Sequence, residues 1–208
     1  MRPLTSDLLL RAYAMGIFPM ARSRHDPRLY WIDPDQRGIL PLSEFHIPKS
    51  LKKVLKKAPF EIRCDTAYEE VMQGCGESTR DRPDTWINDE IVRLFVELHH
   101  LGMAHSVETW RDGRLVGGLY GLALGGAFFG ESMFSRETDA SKVALVHLVA
   151  RLKKGGFQLL DTQFVTEHLA RFGALEIQRH DYLKRLNRAI ELPALFERGP
   201  VDWELALA

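Results

Sequence analysis

Apolar positions along this chain follow two periods, and their alternation sketches the fold. Leu8 to Ala21 is apolar, preceded by Asp7 and interrupted by Arg11, which predicts an amphipathic helix. Up to about residue 58 the pattern is irregular. Phe18-Pro19, Tyr30-Trp31 and Asp33-Pro34 suit a small unit with short strands. Pro48 to Lys57 is helical in period: Leu51, Val54, Leu55 and Ala58 share one face, and Lys49, Lys52, Lys53, Lys56 and Lys57 share another. Phe60, Ile62 and Cys64 then alternate as in a strand. Thr66 with Glu69 predicts a capping box for a helix through Val71 and Met72. Asn88 is the expected cap of a second helix, with Ile91, Leu94, Phe95, Leu98 and Leu101 inward and Gly102 at its end.

A three-strand antiparallel meander is expected next. Ala104 to Trp110 turns at Asp112-Gly113, Leu115 to Leu124 turns at Gly125-Gly126, and Ala127 to Phe134 completes it. Asp139 is the expected cap of a long helix ending at Gly155-Gly156. A strand from Phe157 to Gln163, a short helix opened by Thr166, a strand from Leu175 to Gln178 and a last helix capped by Asp181 follow. The fold class expected is α+β. A small N-terminal α/β unit with the basic helix at its end covers residues 1–58, and a mostly antiparallel sheet flanked by helices covers 59–208.

Composition narrows the class. At 208 residues and 45% hydrophobic content, the chain has enough apolar mass for a real core. Its two cysteines, Cys64 and Cys75, make no disulfide framework and match no zinc spacing. The eight histidines show no metal-ligand spacing, so no metal is expected; no cofactor is expected either. No apolar run reaches membrane length, which points to a cytoplasmic protein with no membrane partner. Net charge is zero, but it is unevenly spread: residues 1–63 carry twelve Lys and Arg against six Asp and Glu, the remainder sixteen against twenty-two. The five lysines of 48–57 have no acid among them. Two readings of that face stand: a solvated surface, or a contact to nucleic-acid phosphates.

The densest chemistry lies in Gly130-Glu131-Ser132-Met133-Phe134-Ser135 and in Leu159-Leu160-Asp161-Thr162-Gln163. An acid, hydroxyls and large apolar groups end one predicted strand. Asp161 and Gln163, two apart on another, are expected to face one side. That mix suits a pocket that holds an apolar group and moves a proton beside it. The Gln carbonyl can accept from an amine, and the Asp can polarise that contact or take the proton. The rival reading of Asp-x-Gln is a solvated strand end. Ser132 lies in Gly-Glu-Ser-Met, not in the Gly-x-Ser-x-Gly elbow, and is not a candidate nucleophile.

The order of elements from Phe60 is similar to the GNAT acyltransferase fold. That resemblance implies a phosphate-binding turn before the long helix, yet Ser135-Arg136-Glu137-Thr138-Asp139-Ala140 has no glycine and two acids. A polyphosphate is disfavoured there, so coenzyme A is not the expected donor. Gly16-Ile17-Phe18-Pro19, Trp31 and Pro34, Thr85-Trp86-Ile87, His105-Ser106-Val107-Glu108, Val116-Gly117-Gly118-Leu119-Tyr120-Gly121, Gly130 to Ser135, Ala140-Ser141-Lys142 and Asp161-Thr162-Gln163 resemble, in order, the leucyl/phenylalanyl-tRNA–protein transferases. The resemblance runs from about residue 10 to about residue 187.

It implies transfer of Leu or Phe, less well Met, from aminoacyl-tRNA to the N-terminal amine of proteins beginning with Arg or Lys. The product carries an N-degron. It also implies roles. Asp161 and Gln163 act on the amine, Glu131 lies in the aminoacyl pocket, and Leu119, Phe128, Leu145 and Leu148 line that pocket. Leu119 stands where Met is familiar, and Leu148 where Phe is. Trp31 and Trp86 become candidates for the 3′ adenosine or the aminoacyl edge, against a plain structural role. Two rivals remain: a GNAT-like enzyme with another donor, and a non-catalytic RNA-binding module built on the lysine helix.

Overall fold

The computed structural model describes residues 4–78 and 84–208. Helix α1 (Ser6–Ala14) is capped by Thr5, whose hydroxyl oxygen accepts from the Leu8 N–H. It stops well short of Ala21. Gly16 takes a left-handed φ of +81° and turns the chain into β1 (Phe18–Met20). Glycine adopts that φ without strain, and Pro19 has no N–H to continue a helix. Strand β2 (Tyr30–Ile32) pairs with β1 in a small antiparallel ribbon, and β3 (Gln36–Ile39) follows. Helix α2 (Lys49–Lys57) buries Leu51 and Leu55 as its period predicts, whereas Ala58 lies past its end, exposed, with a φ of +44°.

Strand β4 (Glu61–Cys64) leads to α3 (Tyr68–Gly76) and α4 (Asp89–His100). The expected capping box does not form. The Thr66 N–H and hydroxyl both donate to the Glu108 carboxylate, so α3 takes its cap from across the fold. Asn88 does cap α4, accepting from the Ile91 N–H at 2.9 Å. Leu101 lies beyond the end of α4 and is exposed instead of inward.

Strands β5 (Ala104–Arg111), β6 (Arg114–Leu124) and β7 (Ala127–Ser135) form the expected meander. Helix α5 (Ala140–Lys154) follows, but the Asp139 carboxylate accepts from Lys142 Nζ at 2.7 Å and caps no backbone N–H. Strand β8 (Leu159–Gln163), α6 (Glu167–Ala170), β9 (Leu175–Gln178) and α7 (Arg179–Ile190) complete the chain order. Thr166 caps α6, while α7 begins before Asp181, which sits in its first turn.

The fold is α+β. Its main sheet has the order β4-β5-β6-β7-β8-β3-β9, antiparallel throughout except for the parallel pair β7–β8. Because β3 pairs with both β8 and β9, the sheet crosses the boundary expected near residue 58. Neighbouring residues on the strands belong to different apolar clusters, Phe128 to one and Phe129 to the other. Helices α2 and α5 cover the first face, and α1, α3, α4 and α7 the second. Among the described residues no helix is long and apolar enough to cross a membrane.

Candidate active site

A break in the sheet makes the site. Strands β7 and β8 pair only from Ala127–Leu159 to Phe129–Asp161, yet β7 runs on to Ser135 and β8 to Gln163. Beyond that last pair lies a cavity of about 330 Å³, lined by both strand ends. Two bulges aim side chains at it. On β7, Ser132 pairs with Tyr120 and Gly130 with Gly121, so Glu131 has no partner across the ladder. A bulge of this kind re-aims the side chain it carries. On β8, Gly38 pairs with Gln163 and Ile39 with Asp161, leaving Thr162 as the extra residue. Gln163 then takes a φ of +57°, and the Phe164 N–H closes a three-residue turn on the Thr162 carbonyl at 2.6 Å. Such a φ is strained for Gln, on the order of 1 kcal/mol or more. Gly38 permits it: a Cβ there would stand 2.6 Å from the Phe164 carbonyl carbon.

Beneath the turn lies a buried charge network. Asp161 is 0% exposed and Arg37 1%. Arg37 Nη2 donates to Asp161 Oδ2 at 2.6 Å and its Nε to Oδ1 at 3.0 Å. Arg37 Nη1 donates to the Gly16 carbonyl at 2.7 Å, and the guanidinium lies over the rings of Phe18 and Tyr182. The Tyr182 hydroxyl donates to Asp161 Oδ2 at 2.6 Å, and the Gln163 N–H to Oδ1 at 2.8 Å. Burial disfavours the Arg37 cation, but the adjacent Asp161 outweighs it and holds the guanidinium pKa above its ordinary value.

Glu131 is served more thinly. Its Oε1 accepts from the Tyr13 hydroxyl at 2.8 Å and from Gln163 Nε2 at 3.3 Å. Burial pushes its carboxyl from an ordinary 4.5 up to about 8; Asp161 adds to the rise, while Tyr13 and Arg37 oppose it. The site therefore holds a carboxyl that changes charge near neutral pH.

The residues singled out from sequence divide. Glu131, Gln163, Leu119, Leu145, Leu148 and Trp86 line the cavity together. Asp161 does not: Arg37 and Tyr182 close over its carboxylate, and it reaches the cavity only through Gln163. Phe128 is sealed in the core against Phe157 and Phe196. Trp31 is 43% exposed on the small ribbon, away from the cavity wall. Lys49, Lys53, Lys56 and Lys57 are exposed on α2 and Lys52 is partly so, and none of them forms an ion pair with an acid among the described residues. Sequence reading missed Arg37, Tyr182, Tyr13, Met20 and His168. Nothing local marks the first four, because each reaches the site from a distant segment; His168 follows Gln163 by five residues, and no spacing rule singles it out.

Comparison with known proteins identifies the family. A family model described as leucyl/phenylalanyl-tRNA protein transferase matches residues 39–187, and one for that family's N-terminal domain matches 2–35. The chain belongs to the leucyl/phenylalanyl-tRNA–protein transferase family. A transferase of that name from Paramagnetospirillum magneticum is 70% identical over the whole of both chains. Those of Rhodospirillum rubrum and Caulobacter vibrioides are each 58% identical, covering 91% and 92% of this chain and 89% and 88% of their own. Among solved structures, L-PGS from Bacillus licheniformis matches with a TM-score of 0.39 at 13% identity, over 79% of this chain and 55% of its own, too weak a likeness to bear on fold or function. The protein is thus an aminoacyltransferase, and the cavity between β7 and β8 is its candidate active site.

Proposed function

We propose that this transferase moves Leu or Phe, and less well Met, from aminoacyl-tRNA to the N-terminal amine of proteins beginning with Arg or Lys, marking them for degradation in the cytoplasm. The observation that carries this is the cavity itself: an apolar wall of Leu119, Leu145, Leu148 and Leu160 faces Glu131 and Gln163. The amino-acid side chain occupies the wall, and Glu131 receives the donor's α-ammonium. Gln163 gives its amide N–H to Glu131, which leaves its carbonyl oxygen to accept from the attacking amine. Asp161 acts behind it as a positioning residue, pinning the Gln163 N–H through the bulge. The amine nitrogen bonds to the ester carbonyl carbon, and the bond to the ribose oxygen breaks. The leaving oxygen departs with a proton. The ester is already activated, so no protein nucleophile is required.

Trp86 offers a stacking face at the rim for the 3′ adenosine, and Trp31 a more exposed one on the ribbon. The lysines of α2 hold tRNA phosphates. The meander followed by α5 and the parallel β8, splayed from β7, supports a GNAT-like reading of the fold. Radiolabelled Leu-tRNA incubated with an Arg-starting peptide tests the assignment. Labelled peptide is expected. Its absence, with tRNA still bound, favours an RNA-binding module, and transfer from acetyl-coenzyme A instead favours another GNAT-like enzyme.

A further inference from the structure

The reaction releases a proton, and most groups that could receive it are occupied. The acceptor α-ammonium, with a free pKa of about 8, must lose one proton before its lone pair attacks, and a second leaves the nitrogen as the amide forms. Asp161 does not line the cavity, and its carboxylate already accepts from Arg37, Tyr182 and the Gln163 N–H. Glu131 is held by Tyr13 and Gln163, and in the reading above it binds the donor's α-ammonium. Among the described residues, the remaining titratable side chains on the wall are Tyr120 and His168. A phenol is a poor proton acceptor near neutral pH.

His168 stands on α6, five residues after Gln163, where the cavity meets a shallower groove lined by Ser135, Lys142 and Asp139. Its ring packs edge-on against Phe172, with centroids 5.3 Å apart. Among the described residues no group hydrogen-bonds to either ring nitrogen. Lys142 and Asp139 face it from the α5 side, and Arg171 from its own segment. Burial, then Lys142 and Arg171, favour the neutral ring, against the weaker pull of Asp139. A neutral imidazole lining the same cavity as Gln163 is a base in the right state.

We propose that His168 is a catalytic residue that takes a proton from the acceptor's α-amine nitrogen as that nitrogen attacks the ester. The imidazolium so formed returns its proton to the departing ribose oxygen. One C–N bond forms, one C–O bond breaks, and His168 ends neutral. The ammonium's other proton passes to water. This rests on the aminoacyl-transfer reading of the same cavity.

The test measures transfer from Phe-tRNA to an Arg-starting peptide by the full chain, from about pH 5.5 to about pH 9. Active wild-type protein is the control. A wild type that transfers nothing sinks the underlying reading, and this proposal with it. Given an active wild type, His168→Ala and His168→Phe are each expected to lower kcat by on the order of 10²-fold, with little change in peptide KM. His168→Phe keeps a ring against Phe172, so equal losses separate chemistry from packing. Added imidazole is expected to restore part of the His168→Ala rate. The wild-type profile is expected to carry a limb below about pH 7 that both variants lack. The proposal is overturned if either variant keeps kcat within about twofold of wild type. It is equally overturned if imidazole leaves the His168→Ala rate unchanged, or if the His168→Phe variant is active while His168→Ala is not.

Discussion

Glu108 and Glu131 are both acids of the central meander, and the protein keeps them in opposite ways. Glu108 is 0% exposed and crowded with donors. It accepts from the Thr66 and Ala67 N–H groups, both at 2.9 Å, from Ser106 Oγ at 2.8 Å, from Trp110 Nε1 at 3.0 Å, and from the Thr66 hydroxyl. Its charge is spent on the N-terminus of α3, a helix whose own residues supply no side-chain cap. Glu131 accepts two hydrogen bonds on one oxygen and borders a cavity. Both look alike in sequence, a charged residue amid strand pattern. What separates them is saturation. A fully served acid holds the fold, and an underserved one is available for a ligand.

The sharpest test of that contrast is turnover. Gln163→Ala is expected to lower kcat by on the order of 10²-fold or more, with Phe-tRNA binding and thermal stability retained, because its amide works at the cavity wall. Asp161→Ala should lose as much turnover and also destabilise by about 3–5 kcal/mol, since it strands the buried Arg37 cation. Near-normal turnover in both would remove the pair from the mechanism. A Gln163→Ala protein as unstable as Asp161→Ala would place Gln163 with the structural groups.

Glu108→Ala is the mirror experiment. Stripping several buried donors of one acceptor should cost about 3 kcal/mol of stability, while turnover per folded molecule stays near wild type. Chemical denaturation and active-site-normalised kinetics read the two separately. A stable but inactive Glu108→Ala protein would break the distinction drawn from saturation.

Glu131 adds a pH signature of its own. Its carboxyl pKa rises on folding, from 4.5 to about 8, so the native chain holds a proton that the unfolded chain releases. Stability from this group is full below its unfolded value and is lost as pH climbs through about 8. Wild-type protein should therefore lose stability relative to Glu131→Gln between about pH 5 and about pH 9, in paired Tm measurements. Parallel curves would show that the native carboxyl titrates like an ordinary one.

Much of this was legible in the sequence, and the limits have physical causes. The meander, the lysine stripe of α2 and the Asn88 cap follow from local periods and local hydrogen bonding, which a window of a few residues contains. Thr66 was misread because its partner is not Glu69 but Glu108, on another strand. The Asp161–Gln163 pair was found, but its expected common face failed at the Thr162 bulge, which no spacing rule announces. Arg37 was invisible for the same reason that it matters: β3 reaches the site only by inserting between β8 and β9. The apolar wall was read from the family resemblance, and the cavity accepted three of its four residues while Phe128 went into the core.

The lysines of α2 extend the contrast to the surface, since they too are charges that no acid among the described residues serves. Replacing Lys49, Lys52, Lys53 and Lys56 by Gln should weaken tRNA binding and flatten its salt dependence, each lost phosphate contact lowering the log–log slope by about 0.7–0.9. Transfer from a minimal aminoacyl-adenosine donor should survive, because that donor lacks the contacted phosphates. Equal damage with both donors would make the face structural, and underserved charge would then be no guide to function.

The smallest effect concerns the apolar counterpart of the same contrast: Leu148 on the cavity wall against Phe128 behind it. Both are buried, at 1% and 0% exposure, but only Leu148 borders the cavity proposed to hold the cargo. Leu148→Ala opens a void beside a bound Leu, forfeiting packing that the larger ring of Phe recovers. Preference should shift from Leu toward Phe by roughly tenfold, within the range that apolar contacts separate. Phe128→Leu should lower stability without shifting preference, since its ring meets Phe157 and Phe196 and not the cargo. Ile and Val should be poor cargo for the unmodified protein, because a branch at Cβ is stiff and widens the neck of the side chain. The measurement is relative transfer of Leu, Phe, Met, Ile and Val from matched tRNAs to one Arg-starting peptide. A preference that moves with Phe128 and not with Leu148 would put the cargo on the other side of that wall.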